Sequence, residues 1–591
     1  MLNLVAIVRL SLFSSSGLAL LLLFSLIYSS PLHNSHLELV VHRQLDTIPD
    51  GYIQAGEANS SQIINLIIGL HPPNITGLTK RLYQVSMPNS TKYGQYLTKE
   101  EVEEHVRPNP NTTKVLEQWL TSNGLAPEPE TSSSTGSHVN VKLTVEQAGK
   151  LLNTTFHLYN HTSSNQSIIR TDQYSVPELI KDAIRMVHPT TFFSPKPIAN
   201  SPQHPATSSL AAINSNTVNL NRRDNQCGDF RQISANCIPA TVMELYGIPS
   251  DLGAPATEDR TAIIALNGNA VQAVDLAKYM KQFRPDIPLS EIQLDVLSVD
   301  QGDNSIQSSL DNAQINANAQ LVIGVMPSTK TTIIASGQTD PQFGSNFLDV
   351  INFILGLENM PKVTTVANGV EESMISVELA QTTCEAIQQY VTRGGTFIAV
   401  AGDAAVSSAQ PPSCTTFQPF FPGTCPWALA VGATNWSSST EIAAAVASGG
   451  FSNIFPVQDH QANAVTGYLD QIGGLYAGLY NKAGRGFPDI AIVGLNLLVQ
   501  NQGGFELGSG APFGLSIVAA MVSGLNQQRA NEGKPSLGFL NPLLYENKDK
   551  MNDITQGSGF NPECNFPVKS GWDPITGLGS FHFDKMASIL V

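Results

Sequence analysis

The chain has 591 residues, of which 42% are hydrophobic and 14% charged, with a formal net charge of −16 and six cysteines. Such a composition belongs to a globular protein of about two to four domains, not to a disordered one. The acidic balance excludes nucleic acid as a partner, because phosphate binding needs a basic surface.

At the N-terminus Arg9 precedes an apolar stretch over 17–28, followed by Ser29 and Ser30. The stretch is shorter than the roughly 20 residues that span a bilayer and has the layout of a signal-peptide core. Residues 1–30 are therefore read as a signal peptide, with a membrane anchor as the alternative. The mature chain is expected to be secreted, with no membrane partner after signal removal. Asn59, Asn74, Asn89, Asn111, Asn153, Asn160, Asn165 and Asn435 each begin an Asn-X-Ser/Thr sequon, which fits a glycoprotein of the secretory pathway. The cysteines fit disulfides in an oxidising compartment, and Cys227 and Cys237 are close enough in sequence to pair locally.

Residues 31–195 mix helical and strand patterns. Helices are expected over 100–106 and 113–123, the second with Val115, Trp119 and Leu120 on one face. Val139, Val141 and Leu143 alternate with Asn140, Lys142 and Thr144, the period of a half-buried strand. Residues 196–226, rich in Ser, Pro, Asn, Thr and Ala, read as a linker. Its Arg222-Arg223 pair suits a secretory processing protease, or equally a solvated surface. From Cys227 to the end, apolar runs over 261–264, 294–299, 321–325, 363–367, 396–401 and 427–431 predict buried strands, with helices at 273–283 and 377–392 between them. That alternation implies a largely parallel sheet covered on both faces.

Several motifs resemble one family. Val85-Ser86-Met87-Pro88, Lys92-Tyr93-Gly94-Gln95-Tyr96-Leu97-Thr98 and Trp119-Leu120 occur in the first region. The second contains Phe420-Phe421-Pro422-Gly423-Thr424-Cys425-Pro426, Gly449-Gly450-Phe451-Ser452-Asn453, Gly484-Arg485-Gly486-Phe487-Pro488-Asp489 and the run 537–545. Near the end stand Asn552-Asp553-Ile554-Thr555 and Gly571-Trp572-Asp573-Pro574. Together these resemble the sedolisins, secreted serine-carboxyl peptidases, and most of all their fungal tripeptidyl-peptidase branch. The resemblance implies a subtilisin-like α/β domain over 227–591, with a seven-stranded, mostly parallel sheet flanked by helices. It also implies an α+β activation pro-domain over 31–195.

Sedolisins use a Ser-Glu-Asp triad with a second Asp in the oxyanion hole. The resemblance places the triad Asp at Asp311 and the oxyanion Asp at Asp403, both retained. It places the base Glu at Gln307 and the nucleophile at Pro512 within Gly510-Ala511-Pro512-Phe513. An amide cannot take the nucleophile's proton, and proline has no nucleophilic side-chain atom. Ser509 and Ser516 are the two hydroxyls that a shifted frame would offer. By the same resemblance one Ca2+ ion is expected, held by the carboxylates of Asp553 and Asp573 and the carbonyls of Ile554, Lys569 and Gly571.

The leading expectation is a secreted, calcium-binding peptidase homologue without activity, acting as a binding or decoy protein. Its partner would be a polypeptide in the cleft, its own pro-domain included, and the protein would be a monomer. The alternatives are an active acid-acting endopeptidase or tripeptidyl peptidase with a displaced serine, and a chain processed for its pro-domain alone.

Overall fold

The computed structural model describes residues 37–591 except 129–131, 165, 196–208, 213–236, 256, 258, 267–270, 303–312, 338–342, 403–416, 438 and 560. The expected signal peptide, Asn165 and the Arg222-Arg223 pair lie outside them.

The central strands of the second region are β-branched and alanine-rich, and both their faces are buried, which is the composition of a doubly covered parallel sheet. Their order is Leu294–Val299, Lys330–Ser336, Arg260–Ala265, Val363–Val366, Thr396–Val400 and Leu429–Ser437. Leu429–Ser437 then pairs in parallel with Ile490–Val493 and in antiparallel with Thr440–Ala443. The described sheet thus has eight strands rather than the seven expected. Seven run parallel, and the eighth, Thr440–Ala443, is the return arm of a hairpin.

Side-chain alternation along these strands supplies two cores. Ile263, Ile398 and Val400 face one side, against the helices Ala313–Val325 and Ala511–Asn531. Ile264, Phe397 and Ala399 face the other, against Phe343–Gly356 and Val377–Thr392. The helices expected at 273–283 and 377–392 are present as Ala273–Phe283 and Val377–Thr392. The strand expected over 321–325 is absent: those residues end the helix Ala313–Val325, which is buried on all sides. A helix apolar all round has no period to separate it from a buried strand. The strand that occupies the place, Lys330–Ser336, begins five residues after that helix ends.

The N-terminal region forms the antiparallel sheet His138–Thr144, Ile63–Leu70, Ile184–His188. Around it lie the helices Ile75–Ser86, Lys99–Val106 and Pro110–Ser122. Thr98 and Glu101 form a reciprocal capping box that starts the second helix. In the third, the buried face carries Leu116, Trp119 and Leu120, while Val115 is only half-buried. Asn140, expected to point outward, is buried, because its amide donates to Asp349 of the following domain at 2.7 Å.

Of the expected linker, residues 209–212 are described, and they are not irregular. Ser209–Ala212 forms a strand antiparallel to Gly504–Ser509, with Ser209 opposite Ser509 and Ala212 opposite Glu506. A polar, breaker-rich composition does not prevent a short segment from completing a sheet edge when a partner strand is presented.

One disulfide, Cys384–Cys425, joins the helix Val377–Thr392 to the loop before the strand Leu429–Ser437. Cys237 and Cys564 are also disulfide-bonded, whereas Cys227, and with it the expected Cys227–Cys237 pair, lies outside the described residues.

Candidate functional site

In an open parallel sheet, clefts form beyond the carboxyl ends of the strands. The strand Thr396–Val400 ends there at Ala401 and Gly402. The hairpin Leu497–Asn501 and Gly504–Ser509 leads to the same end and delivers Gly510. Gly510 has φ +138°, a region that disfavours any residue with a Cβ, and its N–H donates to the Gly494 carbonyl at 2.6 Å. The chain then enters the helix Ala511–Asn531 with Pro512 in its first turn, where the missing N–H and the fixed φ are both tolerated.

Pro512 is buried and is held from the side by Asn318 of the helix Ala313–Val325. With its amide turned so that both atoms are satisfied, Asn318 donates to the Pro512 carbonyl at 2.8 Å and approaches Ser516 Oγ at 3.3 Å. Ser516 has no exposed surface. Ser509 Oγ accepts from the Asn496 N–H at 3.3 Å, and its backbone is paired with Ser209. Neither hydroxyl is set at the helix entrance where Pro512 stands.

Gln307, Asp311 and Asp403 lie outside the described residues. Their described neighbours bear on the cleft. The helix that starts at Ala313 packs along Ala511–Asn531, and Gln314 Nε2 lies 3.4 Å from the Ala367 carbonyl, just past the strand Val363–Val366.

The two loop carboxylates expected to hold calcium are brought together by residues 569–571. Asp553 Oδ2 accepts from the Gly571 N–H and from Ser570 Oγ, both at 2.9 Å. Asp573 Oδ2 accepts from the Lys569 N–H at 3.1 Å, and its Oδ1 accepts from the N–H groups of Ile575 and Thr576. Burial pushes the Asp573 carboxyl up to about 7, even though these N–H groups pull it down. The carbonyls of Ile554, Lys569 and Gly571 accept no hydrogen bond from the described residues. Two carboxylates and three uncommitted carbonyls suit a hard cation that takes six to eight oxygens, so the donor set fits calcium. Among the described residues no group of three or more His, Cys, Asp or Glu side chains could hold a metal, which leaves main-chain oxygens as the larger part of any such site.

Two buried carboxylates anchor this end of the sheet and were not singled out from sequence. Asp489 is fully buried and accepts from Arg485, the Ala430 N–H, Asn541 and Tyr545. Glu441 accepts from Tyr246, Thr434, Asn552 and Ser580, which ties the segments around Asn552 and Ser580 to the sheet. Burial raises both carboxyls. Asp489 was legible only as part of a motif; nothing in the neighbourhood of Glu441 in sequence announces its partners.

The family described as "Pro-kumamolisin, activation domain" matches residues 50–193. A probable tripeptidyl-peptidase SED2 of Trichophyton verrucosum is 28% identical, over 96% of this chain and 98% of its own. A tripeptidyl-peptidase SED3 of Arthroderma otae is 29% identical, over 93% and 94%. Among solved structures, Pseudomonas sedolisin, a serine-carboxyl proteinase, superposes with a TM-score of 0.50 at 18% identity, covering 60% of this chain and 97% of its own. The last similarity shows the fold. Taken with the matches along the whole chain, it makes this protein a member of the sedolisin family, in its fungal tripeptidyl-peptidase-like branch.

Proposed function

We propose that this sedolisin-type protein binds polypeptide in its cleft without hydrolysing it, as a secreted, glycosylated, calcium-stabilised binding or decoy protein. The observation that carries the reading is the entrance of the helix Ala511–Asn531, where the nucleophile position holds a buried proline. The nearest hydroxyls support it: Ser516 is sealed against Asn318 and Ser509 is committed to the strand edge. Gln307 in place of a base points the same way, since losing one triad member already removes several orders of magnitude of rate. Asp311 and Asp403 would then remain as polar groups of a cleft that no longer performs the reaction.

The polypeptide partner is supported by the chain itself. Ser209–Ala212 runs along Gly504–Ser509 by backbone hydrogen bonding, the mode by which an extended peptide adds to a sheet edge. The proposed organisation is a signal peptide over 1–30, a pro-domain over 31–195, a linker over 196–226 and the peptidase-type domain over 227–591. Asp553, Asp573 and the carbonyls of Ile554, Lys569 and Gly571 would hold one calcium ion. The ion would neutralise two carboxylates drawn to one loop and so stiffen it. Among the described residues, no helix is long and apolar enough to cross a membrane.

A second reading rests on the relatives, which carry the name tripeptidyl-peptidase: an active acid-acting peptidase using Ser509 or Ser516. One experiment separates the two. Purified protein incubated with peptides at acidic pH is expected to match a buffer control, and serine-directed covalent probes are expected not to label it. Turnover that is lost in Ser509→Ala or Ser516→Ala would refute the binding-protein reading and identify the nucleophile.

A further inference from the structure

We propose that Glu441 is the positioning residue of the loop read above as the calcium site. One of its carboxylate oxygens holds together the two arms that carry Asp553 and Asp573, and so sets the affinity of the loop for the ion. The inference rests on that calcium reading and is independent of whether the cleft hydrolyses peptides.

The first observation is the clamp itself. Glu441 Oε2 accepts from Asn552 Nδ2 at 2.9 Å and from Ser580 Oγ. Asn552 immediately precedes Asp553, so the first contact fixes one arm. Ser580 follows the tight turn in which the Asp573 and Gly577 N–H groups donate to each other's carbonyls at 3.2 and 2.8 Å, so the second contact fixes the other. The arms are also joined directly, because the Asn552 and Ser580 N–H groups donate to each other's carbonyls at 2.7 and 3.1 Å. Gly579, at φ +92°, permits this approach: a Cβ there would stand 2.0 Å from the Asn552 carbonyl oxygen.

The second is the mounting of the clamp. Glu441 lies in the strand Thr440–Ala443 and is buried. Its other oxygen, Oε1, accepts from the Tyr246 hydroxyl at 2.6 Å and from Thr434 Oγ1 at 2.5 Å. Two residues on, the Ala443 N–H donates to the Gln556 carbonyl at 2.8 Å, so the same strand also holds the chain just past Ile554.

The third is charge. The Tyr246 oxygen already accepts from the Val493 N–H at 2.9 Å and from Trp436 Nε1 at 3.4 Å, and Ser580 Oγ accepts from Asn552 Nδ2 at 3.3 Å. Their own hydrogens are therefore left for Glu441, and the Asn552 amide nitrogen can only donate. Burial raises the Glu441 carboxyl, and these hydrogen bonds pull it down. Four donors, two on each oxygen, fit the ionised form. A fixed negative charge behind the loop, shielded from water, adds to the attraction that Asp553 and Asp573 exert on a divalent cation.

Glutamine at this position would keep the shape and remove both properties. Its NH2 group would face either Asn552 and Ser580 or Tyr246 and Thr434, and whichever pair it faced would lose its acceptor. Residues that orient metal ligands without touching the ion change metal affinity by about 10- to 100-fold when altered.

The test uses the full-length chain, stripped of metal by a chelator and titrated with calcium chloride in a calorimeter at neutral pH, well below its melting temperature. Glu441→Gln is expected to weaken calcium binding by about 10- to 100-fold, and Ser580→Ala to weaken it by a smaller factor. Glu372→Gln is the control: Glu372 is another buried carboxylate, held by Ser452 and the Asn453 N–H rather than by either arm. That variant should melt at a lower temperature and bind calcium as the parent does. Glu441→Gln and Ser580→Ala binding calcium as tightly as the parent would overturn the proposal, as would an equal loss of affinity in Glu372→Gln. If Glu441→Gln does not fold, Ser580→Ala against Glu372→Gln decides. A parent that takes up no calcium would refute the calcium reading and this inference with it. A parent that binds calcium while the variants match it would refute this inference alone.

Discussion

At the scale of single residues, burial decides which ionisable groups matter. His460 is packed among Tyr83, Phe539 and Tyr545. Burial first, and the Arg485 charge second, lower its value from the usual 6.5 to about 3. An imidazole that resists protonation when folded and accepts it when unfolded contributes stability that is fully present above pH 6.5. That contribution is lost as pH falls towards 3, at about 1.4 kcal/mol per pH unit crossed. Glu385, Glu441 and Asp489 have the opposite sign: their raised carboxyls favour the folded state more as pH falls towards the ordinary carboxyl value. Chemical denaturation at pH 7 and pH 4.5 should therefore show a smaller acid-dependent loss for His460→Phe than for the parent. Equal pH slopes for the two proteins would rule out His460 as a source of acid sensitivity. The proposed loss of the nucleophile at Pro512 is also a residue-scale matter. Pro512 was readable in sequence because a motif fixes its position, but the commitment of Ser509 and Ser516 to other partners was not.

At the scale of elements, the helix Ala511–Asn531 crosses beneath the sheet and is locked to Ala313–Val325 by one amide. Asn318 sits where an apolar helix would ordinarily carry another hydrophobe, and it gives the Pro512 carbonyl in the first turn a second donor beside the intrahelical one. Asn318→Ala should destabilise the protein by about 0.5–1.5 kcal/mol, since it removes a second donor to the Pro512 carbonyl, which also accepts within the helix. Urea unfolding would measure this, and no measurable change would mean that the Asn318 hydrogen bond adds nothing to the helix–helix contact. The same element explains the one misread strand. Residues 321–325 are a short apolar run, and only the hydrogen bonding of a helix buried on all sides distinguishes it from a strand. By contrast, Ala273–Phe283 and Val377–Thr392 present a polar side to the solvent or the N-terminal domain, so their 3.6-residue period could be read directly.

At the scale of the whole molecule, the loop proposed to hold calcium is one place where distant segments meet. Asp553 and Asp573 lie 20 residues apart and are joined by N–H groups of 569–571, while Glu441 ties Asn552 to the sheet. Chelation should lower the melting temperature by several degrees, and Asp553→Ala should abolish that response. An unchanged melting curve after calcium has been shown to leave would argue against a bound ion. The sequence by itself determined the parallel α/β class, through β-branched runs separated by amphipathic helices. It also located the turn at Gly510 that leads into the helix Ala511–Asn531, where Gly510 takes a φ of +138°. These are local signals, carried by the period of side chains and by the φ values that glycine and proline permit. Only the tertiary structure decided that Ser209–Ala212 is a strand, that Asn140 faces Asp349, and that Tyr96 fits between Gly394 and Gly538. Each of those depends on a partner hundreds of residues away, whose surface no local pattern encodes.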